Sequence, residues 1–528
     1  MLWRAAVVTH RYLGVAVGLL MLVWFASGIV MMYVAFPEIS PAERQHALGP
    51  IPWTALTLAA QKVADDRPVQ AIEVEALLGS PLLRLKPEAQ PPVVSDLRSG
   101  APLEIDAAKA RAIALDAAPR IVGKTAEIIR AESIEQDQWT VAEDYDNARP
   151  LYRFVFDDPA GTQLYVSGTT GAVVLWTNGA QRFWNWLGAI PHWLYFTQLR
   201  SNGPLWSQIV IWTSILGGFL TAFGLYIGIT QFTLRRGSPY RGWHYWHHIA
   251  GLFFGVVALA FVVSGTLSMN PWGFLEGKGG NERLRLAGGP LPWSAFRDSL
   301  TIVKANPPLG DIVSLASAPL GGKLFWLVAR RDGTVDRLDE NGRAAPVTQT
   351  DLTRAAQRLA GTSSIESQEI MDAEDSYYFG LSNSKPPLPV YRIVLNDTEH
   401  TRYYLNPKTA GLLQKVDSGS RGYRWLFDGI HRLDFFAWLR LRPLWDAIMV
   451  LLMSGGIALT ATGCYLAIWR IKRDLTFKSS DVMARNSYFD LPLVGLEAEQ
   501  RQQSCRRPET KNAQHFSGGG NHESSETE

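Results

Sequence analysis

The chain has 528 residues, and its 51 Lys+Arg against 49 Asp+Glu leave a net charge of +2, which argues against a dedicated nucleic-acid binder with a strongly basic patch. Its two cysteines, Cys464 and Cys505, form no CxxC or CxxCH, so covalent c-type haem, a thioredoxin-like pair and cysteine-ligated clusters have no motif. Nineteen tryptophans point to membrane interfaces, where an amphipathic indole is favoured.

In chain order, Arg4 and Arg11 lead into a first uncharged run, Tyr12–Phe36, whose length exceeds the roughly 7–15 residues of a signal-peptide core, so an uncleaved helix is expected. A large polar segment follows, then a second run at Leu205–Leu234, a short link carrying Arg235, Arg236 and Arg241, and a third run at Ile249–Met269. A second large segment leads to a fourth run at Ala447–Trp469, followed by Arg470, Lys472 and Arg473. Each run can cross a bilayer core of about 30 Å. The basic residues at the span ends place both termini and the short link in the cytoplasm, with the two large segments outside. The expected organisation is 1–36 first span, 37–200 outer domain, 201–236 second span, 237–270 third span, 271–442 outer domain, 443–472 fourth span and 473–528 disordered tail.

The two halves repeat. "HRYLGVAVGLLMLVWFASG" (10–28) aligns without a gap to "HHIAGLFFGVVALAFVVSG" (247–265), pairing His10 with His247, Gly14 with Gly251 and Gly18 with Gly255. "LYRFVFDD" (151–158) matches "VYRIVLND" (390–397), "AED" occurs at 142–144 and 373–375, and "PHWLYFTQLRSNGPLW" (191–206) resembles "IHRLDFFAWLRLRPLW" (430–445), pairing His192 with His431. The chain therefore reads as a tandem duplication with both copies in one orientation. Each outer segment reads as α+β. Helical spacing at 105–118 and 351–361 accompanies strands at "LYRFVFDD", "TQLYVSGTTGAVVLW", "PVYRIVLND" and "TRYYLNPKTAGLL".

Duplication sets four of the ten histidines into two equivalent pairs. In a two-fold arrangement His10 and His247 face each other at the inner side of the membrane, and His192 and His431 at the outer side. Two facing imidazoles can ligate a haem iron axially, without CxxCH. His10, Gly14 and Gly18 share one helix face, which leaves room for a flat macrocycle; small-residue helix contacts explain the same glycines. His244 and His248 stay open as substitute ligands, propionate partners or plain interfacial residues. Zinc would bring carboxylate or cysteine into the set and copper a Met or Cys cluster. No HExxH, GxSxG or P-loop offers hydrolytic chemistry. The acidic clusters at 142–146 and 372–378 are solvated loops or contacts for a ferric complex.

The "HRYLGVAVGLLMLVWFASG" helices, the "FDGIHR" segment and the "LYVSGTTGAVV" domains resemble the PepSY-associated transmembrane proteins over about residues 5–475. The resemblance implies four membrane helices with two periplasmic PepSY-like α+β domains in a bacterial inner membrane. It also implies one or two b-type haems held by His10, His247, His192 and His431, with reduction of ferric iron, in a siderophore or other ferric chelate. Electrons would come from quinol or a cytoplasmic reductase. The rival expectation from the same family is a non-catalytic PepSY protein that inhibits a peptidase, binds a partner or senses an envelope signal.

Overall fold

A computed structural model describes residues 2–57, 68–88, 92–123, 126–380 and 385–477. The tail expected to be disordered, with Cys505, His515 and His522, lies outside the described residues from 478 on.

Among the described residues, four helices are long and apolar enough to cross a membrane: Leu2–Met31, Gly203–Gln231, Gly242–Ser268 and Leu444–Phe477. We refer to them as spans 1 to 4. Asn202 caps span 2 by accepting the Leu205 N–H, and Pro204 sits in its first turn, where no amide is needed. Span 1 stops at Met31, short of the apolar run that continues to Phe36. The chain there leaves helical geometry because side chains take its carbonyls: Arg442 donates to Met32 O at 3.0 Å and Asn185 to Ala35 O at 3.0 Å. Phe36 then packs among Trp139, Trp193 and Tyr195, ring centres 5.6–5.9 Å away, so the last apolar residues of the run serve the outer core. The spans pack through Val17, Met21, Phe25, Ala258, Phe261, Met449 and Met453, all buried.

Each outer segment contains a four-stranded antiparallel sheet in sequential order. In the first the strands are Ile128–Ile134, Leu151–Phe156, Gln163–Ser167 and Val173–Thr177; in the second, Ser364–Met371, Val390–Asn396, Arg402–Leu405 and Leu412–Val416. A helix with small residues on its inner face covers each. Ala110, Ala114 and Ala117 of Ala107–Val122 meet Phe154, Phe156 and Leu164, while Ala355, Ala356 and Leu359 of Gln349–Ala360 meet Tyr391, Ile393 and Leu405. Asp106 caps the first helix, and a capping box of Thr348 and Asp351 starts the second.

A further sheet had no counterpart in the sequence reading. Its seven antiparallel strands come from both segments, in the order Val335–Asp339, Phe325–Arg330, Ile312–Ser317, Pro68–Leu77, Ser80–Pro87 and Val93–Asp96, with Leu291–Pro292 also on Pro68–Leu77. The segments join where Glu73, Val74 and Glu75 face Ala316, Leu315 and Ser314. Helix Trp293–Ala305 covers this sheet, burying Trp293, Phe296 and Leu300 against Trp326, Leu83 and Leu56.

The acids of the cluster at 142–146, Glu143, Asp144 and Asp146, are exposed, whereas Asp375 of the second cluster sits in a half-buried network that Asp137 repeats in the first segment. Tyr165 donates to Asp137 at 2.8 Å and Arg153 to the same carboxylate at 3.0 Å; Tyr404 and Arg392 do the same to Asp375, at 2.8 and 3.0 Å. The structural counterpart of Asp375 is thus Asp137, not a residue of the earlier "AED", and the repeated tripeptide is a coincidence of composition.

Candidate functional site

Span 1 and span 3 each present one histidine to the helix that follows in sequence. His10 Nδ1 lies 2.8 Å from Leu220 O of span 2, and His247 Nδ1 lies 3.1 Å from Leu459 O of span 4. Thr462 Oγ1 is 3.2 Å from the same His247 nitrogen. The outer histidines follow a similar rule on short turns that return to the membrane helices. His192, in Ala189–Trp193, sets Nδ1 3.1 Å from Trp24 O and 3.1 Å from Ser27 Oγ. His431, in Ile430–Arg432, sets Nδ1 3.1 Å from Phe261 O and 3.0 Å from Ser264 Oγ.

These contacts settle the tautomer. The serine hydroxyls give their own protons to helix carbonyls, Ser27 to Val23 O at 2.6 Å and Ser264 to Ala260 O at 2.7 Å, and so accept from the imidazoles. A carbonyl can only accept. All four histidines therefore carry the proton on Nδ1 and leave Nε2 as a lone pair, with no hydrogen bond to Nε2 among the described residues. An Nδ1–H donated to a backbone carbonyl is the arrangement that orients metal-binding imidazoles.

The rings meet in two pairs. His10 and His247 have ring centres 6.1 Å apart, and His192 and His431 6.3 Å apart. Metal–imidazole bonds of about 2 Å on each side, plus roughly 1 Å from each nitrogen to its ring centre, span about 6 Å. The spacing therefore suits one metal atom between two imidazoles, and it also falls within the 4.5–7 Å of an ordinary aromatic pair.

The outer pair lines a cavity of about 610 Å³ together with Trp24, Phe25, Phe261, Met449 and Met453 from the spans. That volume is in the range of pockets that hold a cofactor-sized ligand, roughly 300–1,000 Å³. Its polar wall includes Arg432, Arg440 and Arg442. Trp24 contributes a buried indole N–H with no partner among the described residues. Gly28 and Gly265 keep the backbone close: a Cβ there would lie 3.5 Å from His192 Cε1 and 3.5 Å from His431 Cε1, respectively. Both outer rings are half-buried against the spans, and this desolvation pushes their pKa values down, which favours the neutral form.

The inner pair is bounded by two glycines of the facing spans. A Cβ on Gly224 would fall 2.7 Å from His10 Cε1, and one on Gly463 3.0 Å from His247 Cε1. These glycines, rather than those one and two turns along from each histidine, make room for the rings. A Cβ on Gly14 would instead meet Leu220 at 3.8 Å and one on Gly251 would meet Leu459 at 3.7 Å, ordinary helix-to-helix contact. The signal for Gly224 and Gly463 was in the sequence, as "LTAFGLY" (220–226) against "LTATGCY" (459–465).

The other two sequence candidates lie apart from the pairs in their bonding. His248 is buried with both nitrogens engaged, Nδ1 at 2.7 Å from Ser238 Oγ and Nε2 at 2.9 Å from Gly228 O, so it ties the link between spans 2 and 3. His244 is exposed. Among the described residues no group of three or more His, Cys, Asp and Glu side chains forms a metal cluster, so any metal held by these histidines must bring other ligands of its own.

Residues 7–283 match the family model for the PepSY-associated TM region. No curated protein matches the chain.

Proposed function

The chain belongs to the PepSY-associated TM region family and is a multi-pass membrane protein, and from that premise we propose that it is a b-type haem reductase of a bacterial inner membrane. In this reading it is a tandem duplication with PepSY-like outer domains in the periplasm, and it reduces ferric iron there, in a siderophore or another ferric chelate. The observation that carries the reading is the recurrence, at both membrane faces, of two imidazoles about 6 Å apart with Nδ1 committed and Nε2 free.

His10 with His247 would hold an inner haem, and His192 with His431 an outer one. Bound haem supplies reversible one-electron chemistry that the side chains lack. The chain's own part is to hold and tune. Helix carbonyls fix each ring's orientation and raise its basicity. Trp24, Phe25, Phe261, Met449 and Met453 exclude water from the outer site. Arg432, Arg440 and Arg442 offer positive charge to carboxylates, such as the propionates of a haem. The basic span ends, with Arg4, Arg11, Arg235, Arg236 and Arg241, put the inner pair toward the cytoplasm. The electron donor is then quinol or a cytoplasmic reductase, since the link between spans 2 and 3 is too short for a flavin or nicotinamide domain.

The test is the absorption spectrum of the detergent-solubilised full chain, oxidised and dithionite-reduced, with pyridine haemochrome quantitation. Sharp reduced α-bands of low-spin haem b, at up to two haems per chain, are expected. A folded chain that stays colourless after expression with ample haem would refute the reading.

A further inference from the structure

Beside the outer histidine pair, the second half of the chain encloses a separate cavity of about 420 Å³. Its lining mixes the aromatic rings of Tyr377, Phe379 and Tyr423 with the polar side chains of Gln414, Lys415 and Arg424. Arg424 is the unusual member. It is 4% exposed, lies against Phe379 and Trp425, donates to Ser376 O at 3.0 Å and Asp434 O at 2.6 Å, and pairs with the buried Asp434 carboxylate at 3.4 Å, which leaves Nη1 as its open donor. Its Nη1 has no partner among the described residues. A buried guanidinium with an unmade hydrogen bond is costly unless something completes it, and its planar fork matches an oxyanion.

The backbone around it is unusual too. Residues Arg424–Gly429 form a π-helical turn, a feature common at functional sites. The turn sets Phe427 5.3 Å from His431, and Tyr423, which walls both cavities, 5.1 Å from Phe427. The first half has none of this: its aligned positions are Trp184, Asn185 and Gly188.

We propose that this cavity is an anion pocket that takes the carboxylate-bearing face of an iron chelate, with Arg424 completing its hydrogen bonds on the ligand and Tyr423 and Phe427 linking the ligand to His431. The pocket's place as the docking point for the chelate rests on the reductase reading; its affinity for a carboxylate anion does not. Asp428 is the acidic side chain in the wall. It faces Arg432 at 3.5 Å, and this ion pair offsets its charge toward an anion in the pocket.

The experiment is calorimetric titration of the solubilised full chain with gallium(III) citrate, a redox-inert polycarboxylate chelate, with haem spectra recorded on the same samples. Saturable binding is expected, weakened about tenfold or more by Arg424→Gln, the scale of a lost charge-assisted hydrogen bond. It should be unchanged by Arg330→Gln, whose guanidinium pairs with Asp336 on the seven-stranded sheet and lines neither cavity. No binding by the native chain, or equal binding by Arg424→Gln, would overturn the proposal. Displacement of the citrate by an equal concentration of inorganic phosphate would overturn the assignment to carboxylates. Arg424-dependent binding in a chain without haem would uphold the pocket and refute the reductase reading. If Arg424→Gln does not elute as folded protein, Gln414→Leu decides instead: weaker binding supports the pocket and unchanged binding overturns it.

Discussion

Residues 179–193 and 418–432 do the same job by different means. In the first half, helix Gly179–Leu187 ends at Gly188, which packs so tightly on span 1 that a Cβ would meet Val30 at 3.0 Å. Asn185, at the position of Arg424, spends its amide on Ala35 O and Gln181 O at 3.0 and 2.9 Å. In the second half the helix widens into a π-turn, Phe427 stands where Gly188 stands, and a cavity opens beside it. Yet both turns deliver an imidazole with Nδ1 on a span carbonyl and a serine hydroxyl. Holding the histidine constrains only one face of each turn; the other face is free to differ, and it is there that the halves part company.

The largest expected effect tests whether the outer histidines act as one unit across this difference. His192→Ala and His431→Ala should each abolish the same outer haem and leave the inner one, seen as equal losses in haemochrome content. His248→Ala, whose nitrogens are already engaged, should lose none. Unequal losses from the two outer variants would mean that the halves hold the cofactor independently.

The next effect concerns close approach at the inner pair. Gly224→Val and Gly463→Val would drive a side chain into His10 and His247, from Cβ positions already at 2.7 and 3.0 Å, and should strip the inner haem from the folded chain. Gly14→Ala, whose Cβ has 3.8 Å to Leu220, should retain it. Retention of the inner haem in both valine variants would dissociate those glycines from the site.

Much of this architecture was legible because the features concerned are local or repeated. The spans follow from uncharged length. The small strands and their covering helices follow from alternation and from alanine faces such as Ala110, Ala114 and Ala117. The histidine pairs could be named because nearly equal shifts, 237 and 239 residues, align His10 with His247 and His192 with His431. The seven-stranded sheet could not, since its central pairing joins Pro68–Leu77 to Ile312–Ser317, more than two hundred residues away, and nothing local in either strand names its partner. The π-turn at Arg424–Gly429 was hidden for another reason. Its sequence is helical in composition, and only packing of Phe427 against His431 distinguishes it. The apparent "AED" repeat misled because three common residues recur by chance, whereas Asp137 and Asp375 are related by the tyrosine and arginine that bond them.

That shared network gives a moderate effect. Tyr165→Phe and Tyr404→Phe each take one donor from a half-buried carboxylate that keeps its others, at a cost of about 0.5–1.5 kcal/mol in unfolding free energy. Similar drops in Tm are expected, with haem content unchanged. Burial pushes Asp375's carboxyl up, but the amides of Tyr377 and Tyr378, the Tyr404 hydroxyl and Arg392 outweigh it and hold the group below its usual range. A depressed folded-state pKa stabilises above the unfolded value, so Asp375's contribution should be intact at neutral pH and fade as pH falls below about 4. The Tyr404→Phe penalty should shrink over the same interval. A penalty that grows on acidification would refute this account of the network.

The smallest effect returns to the histidine turns and asks whether their shared face is as alike as it looks. Ser27→Ala and Ser264→Ala each remove one of the two acceptors facing an outer Nδ1–H, while the carbonyls of Trp24 and Phe261 remain. Loss of an acceptor lowers the basicity of the imidazole, which weakens ligation and favours the reduced metal. Because one acceptor stays, haem retention should fall by no more than about tenfold, the low end for such supporting contacts. The outer midpoint potential should rise by a similar small amount in both variants, as redox titration would show. Equal shifts would mean that the π-turn and its cavity leave the ligand bond untouched. A shift confined to Ser264→Ala would mean that the widened turn has made His431 depend on its hydroxyl, and that the halves differ at the metal as well as beside it.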